Sequence, residues 1–148
     1  MIGRQLPWRS TAAHREIVHQ ALNPAGIRSR YTDGVPNPRR IAPEGYMLDA
    51  AMIARPGNVD VQLDLFLDYA NSVKLYVAFQ EFFRRSKPPL LAIWGRFDPF
   101  FIPAGAEAFK RDNPNAKVQL LDNGHSALRT NVQDVASAMR QFLASCNI

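Results

Sequence analysis

The chain has 148 residues, 47% of them hydrophobic, with 18 basic and 13 acidic side chains and a formal charge of +5. That length fits one domain, or one and a part, able to bury roughly two thirds of its unfolded surface. The single cysteine, Cys146, excludes an internal disulfide framework and fits a reducing, cytoplasmic compartment, and no stretch approaches the ~20 apolar residues of a membrane-spanning helix.

The charge is uneven. Residues 1–43 hold seven arginines against Glu16 and Asp33, whereas residues 44–148 are balanced at eleven and eleven. The arginines are scattered rather than blocked, which reads as solvated surface and not as a nucleic-acid or membrane footprint.

Residues 1–10 carry Leu6 and Trp8 without a clear period, and MIGRQLPWRS lacks the apolar run of a signal peptide. Ser10 or Thr11 is a candidate cap for a helix over about 12–23, with Ile17, Val18, Ala21 and Leu22 as its stripe. Asn23-Pro24 ends it, Gly26 follows, and residues 32–43 are loop by composition. A second helix is expected over about 44–54, stopped by Arg55-Pro56-Gly57. A third is expected from Val59 to Arg84, with Asn58 as N-cap and Val59, Leu63, Phe66, Leu67, Ala70, Val73 and Val77 as apolar positions. Asp60, Asp64 and Asp68 share one face of it and read as a solvated acidic face rather than a metal site. Tyr69, Tyr76, Phe79, Phe82 and Phe83 read as core packing, with part of the cluster available to line an apolar pocket.

The stretch PPLLAIWGRFD follows. Leu90–Trp94 is an unalternating apolar run, as in a parallel strand covered on both faces, and Trp94 is expected in the core. Asp98 lies just beyond its end. After a Phe-rich loop, a helix over about 103–111 leads to a second strand, Lys117–Leu121. The turn Asp122-Asn123-Gly124, in which glycine permits a tight or left-handed backbone, then presents His125. Thr130 or Asn131 caps a last helix with the stripe Val132, Val135, Met139, Phe142 and Leu143, and Thr130 with Gln133 has capping-box spacing. The fold class is therefore α/β, with two parallel strands and flanking helices over residues 88–148 after a helical region over 1–87. Two strands alone do not make a sheet that buries itself, so the chain reads as the last part of a larger α/β unit.

An aspartate and a histidine on loops after neighbouring parallel strands have the residue types of a hydrolytic triad's acid and base. The stretch PPLLAIWGRFDPFFIPAGAEAFKRDNPNAKVQLLDNGHSAL resembles the end of an α/β-hydrolase of the haloalkane dehalogenase and epoxide hydrolase-like type. In that family a WG-x-x-D-P strand end supplies the triad acid, here Asp98, and a D-x-G-H strand end supplies the base, here His125. Arg55–Tyr76, Tyr31–Gly34 and the Trp8 region resemble its helical cap. The resemblance implies a small apolar ester, epoxide or haloalkane as substrate, and no metal or other cofactor. Phe79, Phe82, Phe97, Phe100 and Phe101 are candidates for the substrate wall.

Family members also carry a strand, sharp turn and helix that present a nucleophile. The glycines here stand at 3, 26, 34, 45, 57, 95, 105 and 124, with no G-x-S-x-G or G-x-D-x-G. Ser126 adjoins the base and is poorly placed to serve. Arg129 departs from the glutamate that many relatives place after H-x-A-L. The sequence therefore points to a partial hydrolase, inactive alone, whose unpaired strand edge invites self-association or a second chain. Two other readings stay open: a non-catalytic helical binding module, and half of a hydrolase completed by a second polypeptide.

Overall fold

The computed structural model describes residues 12–146. Leu6, Trp8 and the Ser10 or Thr11 cap lie outside the described residues.

Asn23-Pro24 both ends one helix and starts another. Helix α1, Ala12–Ala21, stops before it, and α2, Pro24–Thr32, begins on it. The Asn23 side chain accepts from the Gly26 N–H at 2.9 Å, while proline fills the first helical position, where no N–H is needed. The sequence reading found only the stop and left α2 unassigned. Ile27 and Tyr31 of α2 are buried, which makes it a better-seated helix than α1. A single 3-10 turn, Pro38–Arg40, interrupts the expected loop.

Helix α3 covers Pro43–Ile53 and packs against α2. The expected third helix is two: α4, Asn58–Lys74, and α5, Tyr76–Ser86. At Leu75 the backbone N–H turns to the Ser72 carbonyl, three residues back, and the regular ladder is broken without proline or glycine. Tyr69 and Tyr76 join their phenols by a hydrogen bond across this break. Asn58 is the first helical residue rather than the cap. That place belongs to left-handed Gly57, and the Asn58 amide donates to the Met52 carbonyl at 2.7 Å.

Strands β1, Leu91–Gly95, and β2, Lys117–Leu121, pair in parallel with Leu91 opposite Lys117 and Gly95 opposite Leu121. Between them lie α6, Ala104–Glu107, and α7, Phe109–Asp112, where one helix was expected; the break falls at Ala108. After β2 come a single turn, α8, Ala127–Thr130, and the last helix, α9, Val132–Ser145. The Thr130–Gln133 capping box does not form. Thr130 instead hydrogen-bonds the buried Asn123 amide, which also reaches Asn131.

Leu121, Ala127 and Val135 form a small core with Ile93 packed on it. The expectation that β1 is buried on both faces is not met within this chain, where only Ala92 and Gly95 of the strand are buried. Of the α9 stripe Val135 is buried and Phe142 half-buried, while Val132, Met139 and Leu143 stay exposed. Leu65, Val73 and Val77 are exposed as well. The patterns that read as core in the sequence are real amphipathic faces, but little among the described residues covers them.

Three glycines let separate segments cross at backbone contact. A Cβ on Gly95 would lie 2.1 Å from the Gly124 carbonyl oxygen, and one on Gly124 would lie 2.0 Å from the Asp33 carbonyl oxygen. A Cβ on Gly34 would meet the Phe97 carbonyl oxygen at 2.0 Å, and its φ of +74° also favours glycine. Gly124 does not have the left-handed backbone considered from the sequence; it supplies space. Gly95→Ala is expected to destabilise the chain by about 1–3 kcal/mol, the usual cost of overpacking. Gly105→Ala adds a methyl in a helix with nothing within 4 Å, and should be neutral or stabilising by up to about 1 kcal/mol. Urea unfolding of both variants checks this, and equal stabilities would contradict the close crossing.

Candidate active site

The strand pairing runs on into the loops beyond it. The Arg96 N–H donates to the Leu121 carbonyl at 2.8 Å, and the Phe97 N–H donates to the Asn123 carbonyl at 2.9 Å. This draws the Asp98 loop and the His125 loop side by side past the carboxyl ends of β1 and β2, the usual place for functional groups in a parallel sheet.

Asp98 is buried and uses both carboxylate oxygens. Oδ1 accepts from the Phe100 and Phe101 backbone N–H groups at 2.8 and 3.0 Å, which folds the loop around the side chain. Oδ2 lies 3.0 Å from His125 Nδ1. An ionised carboxylate only accepts, so facing one Nδ1 carries the shared hydrogen, and in the neutral ring the lone pair is then on Nε2. The His125 side chain is 31% exposed against 6% for Asp98, so the ring is open to an incoming molecule and the acid behind it is not.

Two rings hold the imidazole. Phe100 meets it edge-on at 5.2 Å between centroids, and Phe101 stacks on it at 5.5 Å and 29°. Trp94 steadies this arrangement: its indole N–H donates to the Phe101 carbonyl at 2.6 Å and its ring meets Phe101 edge-on.

Phe100 and Phe101 also wall an apolar pocket of about 840 Å³ that opens between α5 and the α6–α7 segment. Phe79 and Phe82 line it as well, so four of the five candidate phenylalanines meet there. Phe97 does not: its backbone is held between Asn123 and Gly34, away from the pocket. Trp94, expected in the core, is half-buried and lines the pocket. The pocket also takes in Tyr76, Phe83, Ile102 and Phe109. Tyr76 and Phe83 were legible as members of the aromatic cluster; Ile102 and Phe109 carried no signal apart from their proximity to Asp98. The hydrogen bond with Tyr69 pushes the Tyr76 phenol up to about 12, so it stays neutral at physiological pH.

Ser126, the hydroxyl residue next to His125, donates its hydroxyl to the Arg30 carbonyl at 3.1 Å. Asp60, Asp64 and Asp68 are all exposed, and among the described residues no group of three or more His, Cys, Asp or Glu side chains is placed to hold a metal ion. No helix among them is long and apolar enough to cross a membrane.

One wall of the pocket rests on a buried charge. Asp112 of α7 receives Arg84 of α5 at 2.7 Å and its neighbour Arg111 at 2.8 Å. The hydrogen bond from Arg111, reinforced by Arg84, holds its carboxyl below the ordinary carboxylate range despite burial. A lowered folded-state pKa gives stability that is present above the unfolded value, near 4, and is lost as pH falls through the folded value. Unfolding free energy measured by urea between pH 7 and pH 3 should therefore fall with acid more steeply in the parent chain than in Asp112→Asn.

No protein-family model matches the chain, and no solved structure gives a significant match. A Saccharomyces cerevisiae protein named "Uncharacterized hydrolase YNR064C" is 47% identical over 130 residues, which is 88% of this chain and 45% of that protein. The chain thus spans less than half the length of the curated relative it matches. Over most of its own length it is related to a protein that bears the name of a hydrolase.

Proposed function

We propose that this chain is the C-terminal section, with cap helices, of an α/β-hydrolase of the haloalkane dehalogenase and epoxide hydrolase-like type. Residues 1–87 act as the cap and residues 88–148 as the end of the catalytic unit. Asp98 is the triad acid and His125 the base. The observation that carries this reading is the Asp98 Oδ2–His125 Nδ1 contact at 3.0 Å, on a part-exposed ring packed by Phe100 and Phe101, which also line the apolar pocket.

The chemistry follows from that geometry. His125 Nε2 takes a proton from a water or a nucleophile, and Asp98 stabilises the imidazolium that results. The nucleophile lies outside these 148 residues, which hold no G-x-S-x-G or G-x-D-x-G turn. That group attacks an ester, epoxide or halide-bearing carbon to form a covalent intermediate, as the C–O or C–halogen bond breaks and the alcohol or halide departs or the ring-opened oxygen is freed. His125 then takes a proton from the water that hydrolyses the intermediate. The pocket's ring-lined wall fits a small apolar substrate.

Two further features support a larger unit around these residues. Each strand is paired on one side only among the described residues, which leaves hydrogen-bonding edges open. The exposed faces of α4, α5 and α9 hold large apolar side chains. The chain by itself is expected to self-associate, and to show no hydrolysis of nitrophenyl esters, styrene oxide or 1-bromobutane above background. Sedimentation and initial-rate measurements check both. Co-expression with the unmatched part of the yeast relative should bring hydrolysis of one of these substrates, and His125→Ala should then lower it about 100- to 10,000-fold. A monomeric, cooperatively folded chain would remove the open-edge argument. Hydrolysis indifferent to His125→Ala would remove the base assignment.

A further inference from the structure

We propose that residues 30–34 and Arg129 form a clasp that positions the His125 ring, with Arg129 as a positioning residue. The inference rests on the reading of His125 as the base.

His125 stands four residues beyond β2, so its strand alone does not fix it. Besides the contacts its ring makes with Asp98, Phe100 and Phe101, its backbone is held by the end of α2 and the turn that follows. On one side of His125, the Gly124 backbone lies against the Asp33 carbonyl, at a distance that only glycine permits. On the other side, the Ser126 hydroxyl donates to the Arg30 carbonyl. One turn further on, the Arg129 guanidinium sits over the buried Tyr31 ring, 4.9 Å from its centroid. Tyr31 is itself held, its hydroxyl on the Asp49 carboxylate and its ring edge-on to Tyr46. Gly45 leaves the space that the guanidinium occupies: a Cβ there would lie 2.6 Å from an Arg129 nitrogen.

The same turn touches the acid's loop. Gly34 lies against both the Phe97 carbonyl and Gly124, so it wedges between the segments that carry Asp98 and His125. The positions just before, just after and four beyond His125 are thus fixed by one short stretch, and so is the residue before Asp98. A cation over a buried ring holds strongly while permitting small rotations, which suits a group that orients a neighbour rather than touching substrate.

The test uses the full chain and diethyl pyrocarbonate as probe. Carbethoxylation of His125 is measured peptide by peptide against exposed His19 as internal reference. Asp98→Asn marks the ratio for a released ring. Arg129→Met is expected to raise the His125 to His19 rate ratio about fivefold, toward that mark, with unchanged circular dichroism. Arg129→Lys, which keeps the cation, should stay near the parent ratio, and Ser126→Ala should fall between. An unchanged ratio in folded Arg129→Met overturns the clasp. If that variant does not fold, an unchanged ratio in Ser126→Ala overturns it instead, and a raised ratio supports it. If Asp98→Asn itself leaves the ratio unmoved, the Asp98–His125 pairing fails, an outcome distinct from failure of the clasp.

Discussion

The Asp98 carboxylate has to satisfy two demands in a buried place. One oxygen closes the Phe100–Phe101 loop, and the other faces the His125 ring. A buried carboxylate without such partners would be costly, so loop shape and ring orientation are tied to each other. The loop, once closed, puts Phe100 and Phe101 on the imidazole and on the pocket wall at once. Asp98, His125 and the apolar surface are one construction, reached from both strands because the pairing continues past their ends.

That construction depends on segments far apart in sequence. The crossing at Gly34, Gly95 and Gly124 brings three backbones together at distances that any side chain would prevent. Asn123 and Asn113, both nearly inaccessible, act similarly through hydrogen bonds. Asn123 ties the His125 loop to the start of α9, and the Asn113 amide reaches the Pro88 carbonyl at 2.7 Å to tie the end of α7 to the entry of β1. The helical region and the strand region are therefore joined at the very loops that carry the chemistry.

The remainder of the chain is less well covered. Its apolar faces are regular, but Leu65, Val77, Met139 and many others remain in solvent, and the sheet has two strands. Amphipathic helices take their stability from what they pack on more than from local propensity. Faces patterned for a core, on a chain that spans less than half of a 47% identical relative, fit a larger layered unit.

Much of this was legible in the residues alone. Asp98 and His125 stood out because each follows an apolar run that ends in a turn, and β2 has the predicted bounds, since its flanking Asn-Pro and Asp-Asn-Gly signals are local. The α4–α5 break at Leu75 was not legible, because no proline or glycine marks it, and α2 was hidden by reading Asn23-Pro24 only as a stop. By itself, then, the sequence determined the two strands, the general helical stretches and the two residues on the loops beyond the strands, since periodicity and turn chemistry act over a few neighbours. Only the tertiary structure decided that Phe97 leaves the pocket while Trp94 joins it, and that residues 30–34 hold the histidine's loop. Those outcomes depend on which backbones can approach one another across tens of residues, and spacing along the chain carries no record of that.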